Sequence, residues 1–298
     1  MAELPVGRPL PAKAVEILAS LAAHRVLSTP QVHAIHSGGA ELRWVQKLLG
    51  RLRAAGLADY VRSAHGRRRL WFATERGVRL TREAGTLEGN PPLAAELAAG
   101  PLAPHALAVN EAAICFLRAA EERGDDFGSL AWRHEVFHPL SRGRGKRRRS
   151  LIADAIFTYL REDGEEIAIE QRFLEVDRAT LSVDRLVAEL ARYAELYRAK
   201  EARAAEPLWR ARYPVFPPVH CVLAGAPRRA LSRRRSTASV LLASDPLLSR
   251  TPEVAISICL LEDLRSEGPY APVFRDVRDP GRPVDWLGNP AEQRKARR

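Results

Sequence analysis

Three carboxylates stand where they could share one task. Asp154 lies in an apolar run with Ile152, Ala155, Ile156 and Phe157, and Glu175 and Asp177 lie two apart in the next such run. Residues two apart on a strand point to one face, so Glu175 and Asp177 share a face. Asp154 falls on the neighbouring strand, across a turn at Asp163-Gly164. A carboxylate among apolar neighbours is costly unless it is solvated, paired or metal-bound. Three of them converging on one sheet face make a hard-oxygen site for Mg2+. Such an ion can activate water for phosphodiester cleavage. The competing reading is structural pairing with Arg172, Arg178 or Arg185.

A second string with chemistry is His134-Glu135-Val136-Phe137-His138. As a helix it would set two histidines on one face for zinc, with Glu135 as the base of a metalloprotease. Pro139 follows directly, and Leu130, Trp132, His134 and Val136 alternate as in a strand. On a strand the two histidines are roughly 13 Å apart, too far for one ion. The sequence offers neither a phosphate-cradling loop, Gly143 and Gly145 lacking that spacing, nor a G-x-S-x-G elbow.

The third chemical feature is basic charge. The 298 residues carry 47 Lys+Arg against 36 Asp+Glu, a formal charge of +11. Only five of the basic residues are lysines. They cluster: Arg142, Arg144, Lys146, Arg147, Arg148 and Arg149 form one run, and Arg67, Arg68 and Arg69 are consecutive. Such runs repel themselves unless solvent or a polyanion screens them, and phosphate backbones suit them. Cys115, Cys221 and Cys259 are odd in number and widely spaced, which fits a reducing cytoplasm. No apolar run is long enough to span a membrane, and the first eleven residues do not read as a secretory signal.

The elements that must position these groups are legible in the periodicity. Residues 12–27 read as a helix through Val15, Leu18, Leu21 and Ala22. Ser28-Thr29-Pro30 starts a short second helix through Val32 and Ile35. A third runs from about Glu41 to Ala55 with Leu42, Val45, Leu48, Leu49 and Leu52 inward, and Gly56 caps it. Its outer face carries Arg43, Lys47, Arg51 and Arg53. Extended runs at 57–62 and 70–73 flank the basic turn 63–69, and Thr74 opens another helix. Three helices and a basic-tipped hairpin resemble a winged helix. Such a unit lays its third helix in a major groove, with Arg43, Lys47 and Arg51 near phosphates or base edges and Arg67, Arg68 and Arg69 reaching an adjacent backbone. Trp44, Tyr60 and Trp71 read as packing rather than base-stacking residues.

Further on, 86–104 reads as a Gly/Pro/Ala linker, 105–124 as a helix, 130–138 as a strand, and 150–160 and 166–180 as a strand pair. Residues 181–200 form an amphipathic helix with Leu186, Leu190, Tyr193, Leu196 and Tyr197 inward. Buried strands are expected at 217–225 and 254–264, with an Arg-rich helix between. The order Trp132, Glu135, a basic run, Asp154, Phe157, then Phe173-Leu174-Glu175-Val176-Asp177-Arg178-Ala179-Thr180 and the Leu186-to-Tyr197 helix resembles the replication-relaxation family of plasmids and integrative elements. The likeness continues to Phe216-Pro217-Pro218-Val219.

That resemblance implies an N-terminal winged helix (10–85) and a PD-(D/E)XK nuclease-like mixed-sheet domain (105–280), an α/β or α+β architecture, while composition sets the linker at 86–104 and a flexible basic tail at 281–298. It casts Asp154 and Glu175 as metal ligands, Asp177 beside them and Glu135 as a further acid. It departs from the pattern at Ala153, where a proline is usual, and at Asp177, where an active nuclease has a lysine; the following helix supplies only Arg185, Glu189 and Arg192. Arginine stays charged at any working pH and makes a poor base. A catalytically degenerate site is therefore expected, with a Mg2+-dependent endonuclease or nickase as the alternative. The implied partners are double-stranded DNA, plasmid replication or transfer proteins and a second copy in a homodimer. A winged-helix transcriptional regulator with a dimerising C-terminal domain is the rival class.

Overall fold

In the computed structural model, residues 10–63, 68–85, 98, 100, 102–141, 149–164, 166–201 and 206–289 are described. The chain divides into two compact units, 1–110 and 111–298.

The first unit begins with α1 (Ala12–Ala23), β1 (Leu27–Ser28), α2 (Thr29–His36) and α3 (Leu42–Ala54). Helix α1 stops earlier than its apolar spacing suggests. Arg25 takes a left-handed φ of 66°, and Leu27-Ser28 leaves the helix to pair with the later hairpin. Ser28 then caps α2 with a complete capping box: its hydroxyl accepts from Gln31 N, and the Gln31 side chain accepts from Ser28 N at 3.1 Å. Strands β2 (Ala58–Arg62) and β3 (Arg69–Ala73) form an antiparallel hairpin, and the three-stranded sheet has the order β1-β3-β2. Gly56, at φ +68°, ends α3 as expected. Helix α4 (Glu75–Glu83) follows, capped by the Thr74 hydroxyl. Three helices and a sheet in this order are a winged helix. The core is the inward stripes of the helices, with Ile17, Leu18, Leu21, Val32, Val45, Leu49 and Leu52 buried. Leu42 is exposed instead, because it is the first residue of α3 and lies beyond that core.

The second unit takes most of α5 (Ala103–Arg123), whose first turns belong to the first unit. It then builds β4 (Trp132–Pro139), β5 (Ser150–Asp163), β6 (Glu166–Asp177), α6 (Val183–Arg198), a 3-10 turn (Leu208–Ala211), β7 (Val219–Leu223), α7 (Arg228–Ala243), α8 (Pro246–Ser249), β8 (Ile256–Leu260), α9 (Leu261–Glu267), β9 (Phe274–Asp276) and β10 (Pro283–Val284). The seven-stranded sheet has the order β10-β9-β8-β7-β6-β5-β4. Its middle is parallel, β6 to β7 to β8, and both flanks are antiparallel. Helices α6 and α7 cover one face and share a core with Phe173, Val219, Cys221, Ile256 and Ile258.

Two expectations change here. The apolar run at 254–264 is a strand only to Leu260; the acidic residues Glu262 and Asp263 open α9, where they favour a helix N-terminus. The segment 281–289 is no loose tail. Val284 pairs with Phe274, and Trp286 is buried edge-on against Phe116 and Tyr270. Residues 290–298, and nearly all of the expected 86–104 linker, lie outside the described residues.

Candidate functional site

In the first unit the apolar spacing of α3 decides which residues face water. With Val45, Leu48, Leu49 and Leu52 turned inward, Arg43, Lys47 and Arg51 fall at four-residue intervals on the exposed side. Arg68 and Arg69 are exposed at the start of β3, where Ser63 N bonds to Arg68 O at 3.0 Å and closes the hairpin. Between α3 and the hairpin lies a cleft of about 560 Å3, lined by Gln46, Gly50, Arg53, Tyr60, Arg69 and Trp71 among others. Arg53 and Arg69 both lie over the Tyr60 ring, each with its guanidinium carbon 4.8 Å from the centroid. Arg53 also bonds Asp59 at 2.8 Å. Trp71 is buried, and its indole N–H donates to the Thr29 hydroxyl at 3.0 Å, so it is a packing residue. Arg67, Arg144, Lys146, Arg147 and Arg148 lie outside the described residues. Arg149 is exposed and paired with Glu195 at 2.7 Å.

In the second unit the register builds the carboxyl site. The β5–β6 ladder ends at Ala155 opposite Leu174, so the next step sets Asp154 opposite Glu175. The β4–β5 ladder also skips this step, between Arg133-His134 and Val136, at Glu135. Glu135 has a left-handed φ of 47° there, a conformation that costs a non-glycine residue roughly 1–2 kcal/mol. The lapse in pairing frees the Asp154 side chain to accept the Val176 backbone N–H at 2.8 Å. Interrupted ladders of this kind recur beside functional sites because they re-aim a side chain.

Phe173, Glu175 and Asp177 alternate onto the face covered by α6 and α7. The Tyr193 hydroxyl of α6 donates to Glu175 Oε1. The register and the effect of the Asp154 charge on Glu175 place the two carboxyl groups side by side. Burial, and then the Asp154 charge, push the Glu175 carboxyl well above its usual range. Glu189, one turn before Tyr193, is raised by burial and next by Asp154.

Asp177 takes a different partner from the arginines expected. Arg234 of α7 grips it through Nε and through Nη2 at 3.1 Å, and the same Nη2 reaches Ser182 O at 3.3 Å at the start of α6. Arg172 points to the opposite face, where it pairs with Glu170 at 2.9 Å and lies over the Trp286 ring. The turn after β7 is pressed onto this corner: Gly225 has φ +79°, and a Cβ there would meet Arg178 O at 2.7 Å. Glycine is therefore required for α7 to start where Arg234 reaches Asp177.

Of the predicted acids, the structure joins Asp154 and Glu175. It ties Asp177 to Arg234 and leaves Glu135 exposed on β4, opposite Asp154 in the register. Among the described residues, no group of three or more His, Cys, Asp or Glu side chains is arranged to hold a metal ion. The donors that fit Mg2+ are the two carboxyls alone, and that ion accepts one or two carboxylates with water completing its shell. His134 and His138 are both buried on β4, which excludes the zinc-protease geometry. His138 Nε2 lies 2.7 Å from the Tyr213 hydroxyl, and burial, with the Arg212 charge, lowers its pKa to about 4.

Tyr193 and Arg234 escaped the sequence reading. Tyr193 has the spacing of a core residue, and its hydroxyl carries no periodic signal. Arg234 stands 57 positions from its partner in an arginine-rich run with nothing to single it out.

Among the described residues no helix is long and apolar enough to cross a membrane. No curated protein matches the chain. Among solved structures it is similar to a double mutant of ZitR from Lactococcus lactis, at 22% identity over 28% of this chain and 60% of that one, with a TM-score of 0.24. The replication-relaxation family model matches residues 18–208, from the first helix through the carboxyl strands and α6. With both the basic helix and the carboxyl pair inside that match, the chain belongs to the replication-relaxation family.

Proposed function

We propose that the protein binds duplex DNA and acts on plasmid or other mobile-element DNA during replication, relaxation or transfer. The observation that carries this reading is the exposed stripe Arg43, Lys47 and Arg51 on the third helix of a winged helix, with Arg68 and Arg69 at the hairpin end. A helix of that diameter fits a major groove, and guanidinium and ammonium groups at four-residue spacing meet phosphates or guanine edges there. The basic run 142–149, between β4 and β5 in the sequence, adds more groups of the same chemistry. Membership of the family supports the setting.

The second unit reads as a nuclease-like site whose chemistry has lapsed. An active site of this type needs two carboxylates on a metal and a cation free to stabilise the leaving charge. Here burial and the Asp154 charge push the Glu175 carboxyl well above its usual range, Asp177 stands where a lysine is expected, and Arg234 is committed to that aspartate. The specific feature that favours a second reading, Mg2+-dependent nicking, is the juxtaposition of Asp154 and Glu175 itself. In that case these two residues would hold the ion, which would supply an activated water.

One experiment separates the readings. The protein is titrated onto a labelled duplex at several salt concentrations, then incubated with supercoiled plasmid with and without Mg2+. Binding that weakens steeply with salt, and plasmid left intact, is the expected pair of results. Nicking lost in both Asp154→Asn and Glu175→Gln would establish the second reading. Absence of any duplex binding in dilute buffer would defeat the proposal.

A further inference from the structure

The face of α7 that packs on the sheet contains an arginine where an apolar residue would be expected. Leu231, Ala238 and Leu242 form its buried stripe. Arg235 is four residues after Leu231 and three before Ala238, so it falls on the same stripe and is half-buried. Beneath it, Ile258 of β8 belongs to the shared core and sits directly opposite Arg275 of β9. Paired residues on adjacent strands share a face. The register therefore puts Arg275 on the α7 side of the sheet, next to Arg235. Arg228 stands two turns before Arg235 on the same side of the helix, where Asp263 of α9 and, at 3.7 Å, Glu262 hold it.

Among the described residues no hydrogen bond reaches the Arg235 guanidinium. Arg275 reaches only Gly281 O, at 3.4 Å. Burial lowers the Arg235 pKa, and the facing charge of Arg275 lowers it further, with Asp263 opposing. A fold gains nothing by holding two guanidiniums together half out of water. The arrangement becomes favourable when an anion with several acceptor oxygens lies between them, and the planar guanidinium fork matches phosphate geometry.

We propose that Arg235 and Arg275, with Arg228 at the rim, form a binding site for a phosphate group. The site lies wholly outside the segment matched by the family, residues 18–208, and is separate from the carboxyl pair. The phosphate belongs either to a duplex backbone or to a free phosphate.

The test uses the full chain and two probes. In thermal unfolding, inorganic phosphate is compared with chloride at equal ionic strength. The wild type should gain roughly 2–4 °C at saturating phosphate. Arg235→Met and Arg275→Met should lose that gain, and Arg235→Met should unfold at a higher temperature than wild type without phosphate, because a like-charge contact has gone. Arg235→Lys, which keeps the charge but not the fork, should lose most of the gain.

The second probe is a duplex oligonucleotide. A fall in the salt dependence of its binding by about one phosphate contact in Arg235→Met assigns the phosphate to the duplex. A salt dependence unchanged in Arg235→Met, beside a phosphate gain that the wild type shows and the variant loses, assigns it to a free phosphate. A wild type that binds no duplex defeats the proposed function while the thermal gain still decides this site. The site itself is overturned if phosphate gives the wild type no gain, or the same gain in both methionine variants.

Discussion

The two units handle charge in opposite ways. On α3 the cations stand in water: Arg43, Lys47 and Arg51 are exposed on a helix whose other side is fully buried. On β5 and β6 the acidic groups are turned inward and bonded within the protein, Glu175 to Tyr193, Asp154 to the Val176 backbone N–H, and Asp177 to Arg234. Exposed charge contributes little to folding and remains available to a partner. Buried charge must be matched internally, and breaking the match is costly. The basic face therefore reads as a surface for another molecule, and the carboxyl corner reads as part of what holds the second unit together.

The largest expected effect tests how each unit responds to acid. Burial lowers His138 to about 4 and His220 to about 3 in the second unit, and His36 to about 4 in the first. These histidines are neutral in the fold and take up protons more readily once unfolded. Their effect is absent above the unfolded value of 6.5 and grows as pH falls through the window down to about 4. Each costs about 1.4 kcal/mol per pH unit there. Urea titrations between pH 7 and 4 should show the loss, and His138→Gln should flatten it. A stability profile in that window unaltered by the substitution would contradict the buried, neutral state.

Next in size is the exposed stripe. Arg43→Ala, Lys47→Ala and Arg51→Ala together should weaken duplex binding by about 100-fold or more at moderate salt, with a slope reduced by about 0.9 for each lost contact. Unfolding of the triple variant should match wild type. A similar loss of stability would mean that the stripe is structural, and the contrast between the units would fail.

Arg234→Ala should act in the reverse manner. It strands Asp177 in a corner where the pair is only 10% and 11% exposed. The expected loss is about 3 kcal/mol in denaturant unfolding, with duplex binding by the remaining folded protein unchanged. Arg234→Ala combined with Asp177→Ala should recover part of that loss. If the double variant is no better than the single one, the pair is not the source of the cost.

The smallest effect sharpens the carboxyl corner. Tyr193→Phe removes one hydroxyl from Glu175 and should cost about 1 kcal/mol. A loss within error would show that water replaces the phenol, and that the corner is more open than its neighbours imply.

Amino-acid order alone determined the local elements and much of what faces water. Leucine and valine spacing on α3 selects the exposed cations, Ser28 and Gln31 announce the start of α2, and alternation in 166–177 places Glu175 and Asp177 on one face. These depend on nearest neighbours along the chain and on fixed periods of helix and strand. It could not reveal that Glu175 lies against Asp154, that Arg234 holds Asp177, or that Arg235 faces Arg275. Each of those depends on which strands become neighbours and on the register at which they meet. Tertiary packing alone decided them, because burial makes a charge seek whatever partner lies nearest in space, however far away in the chain.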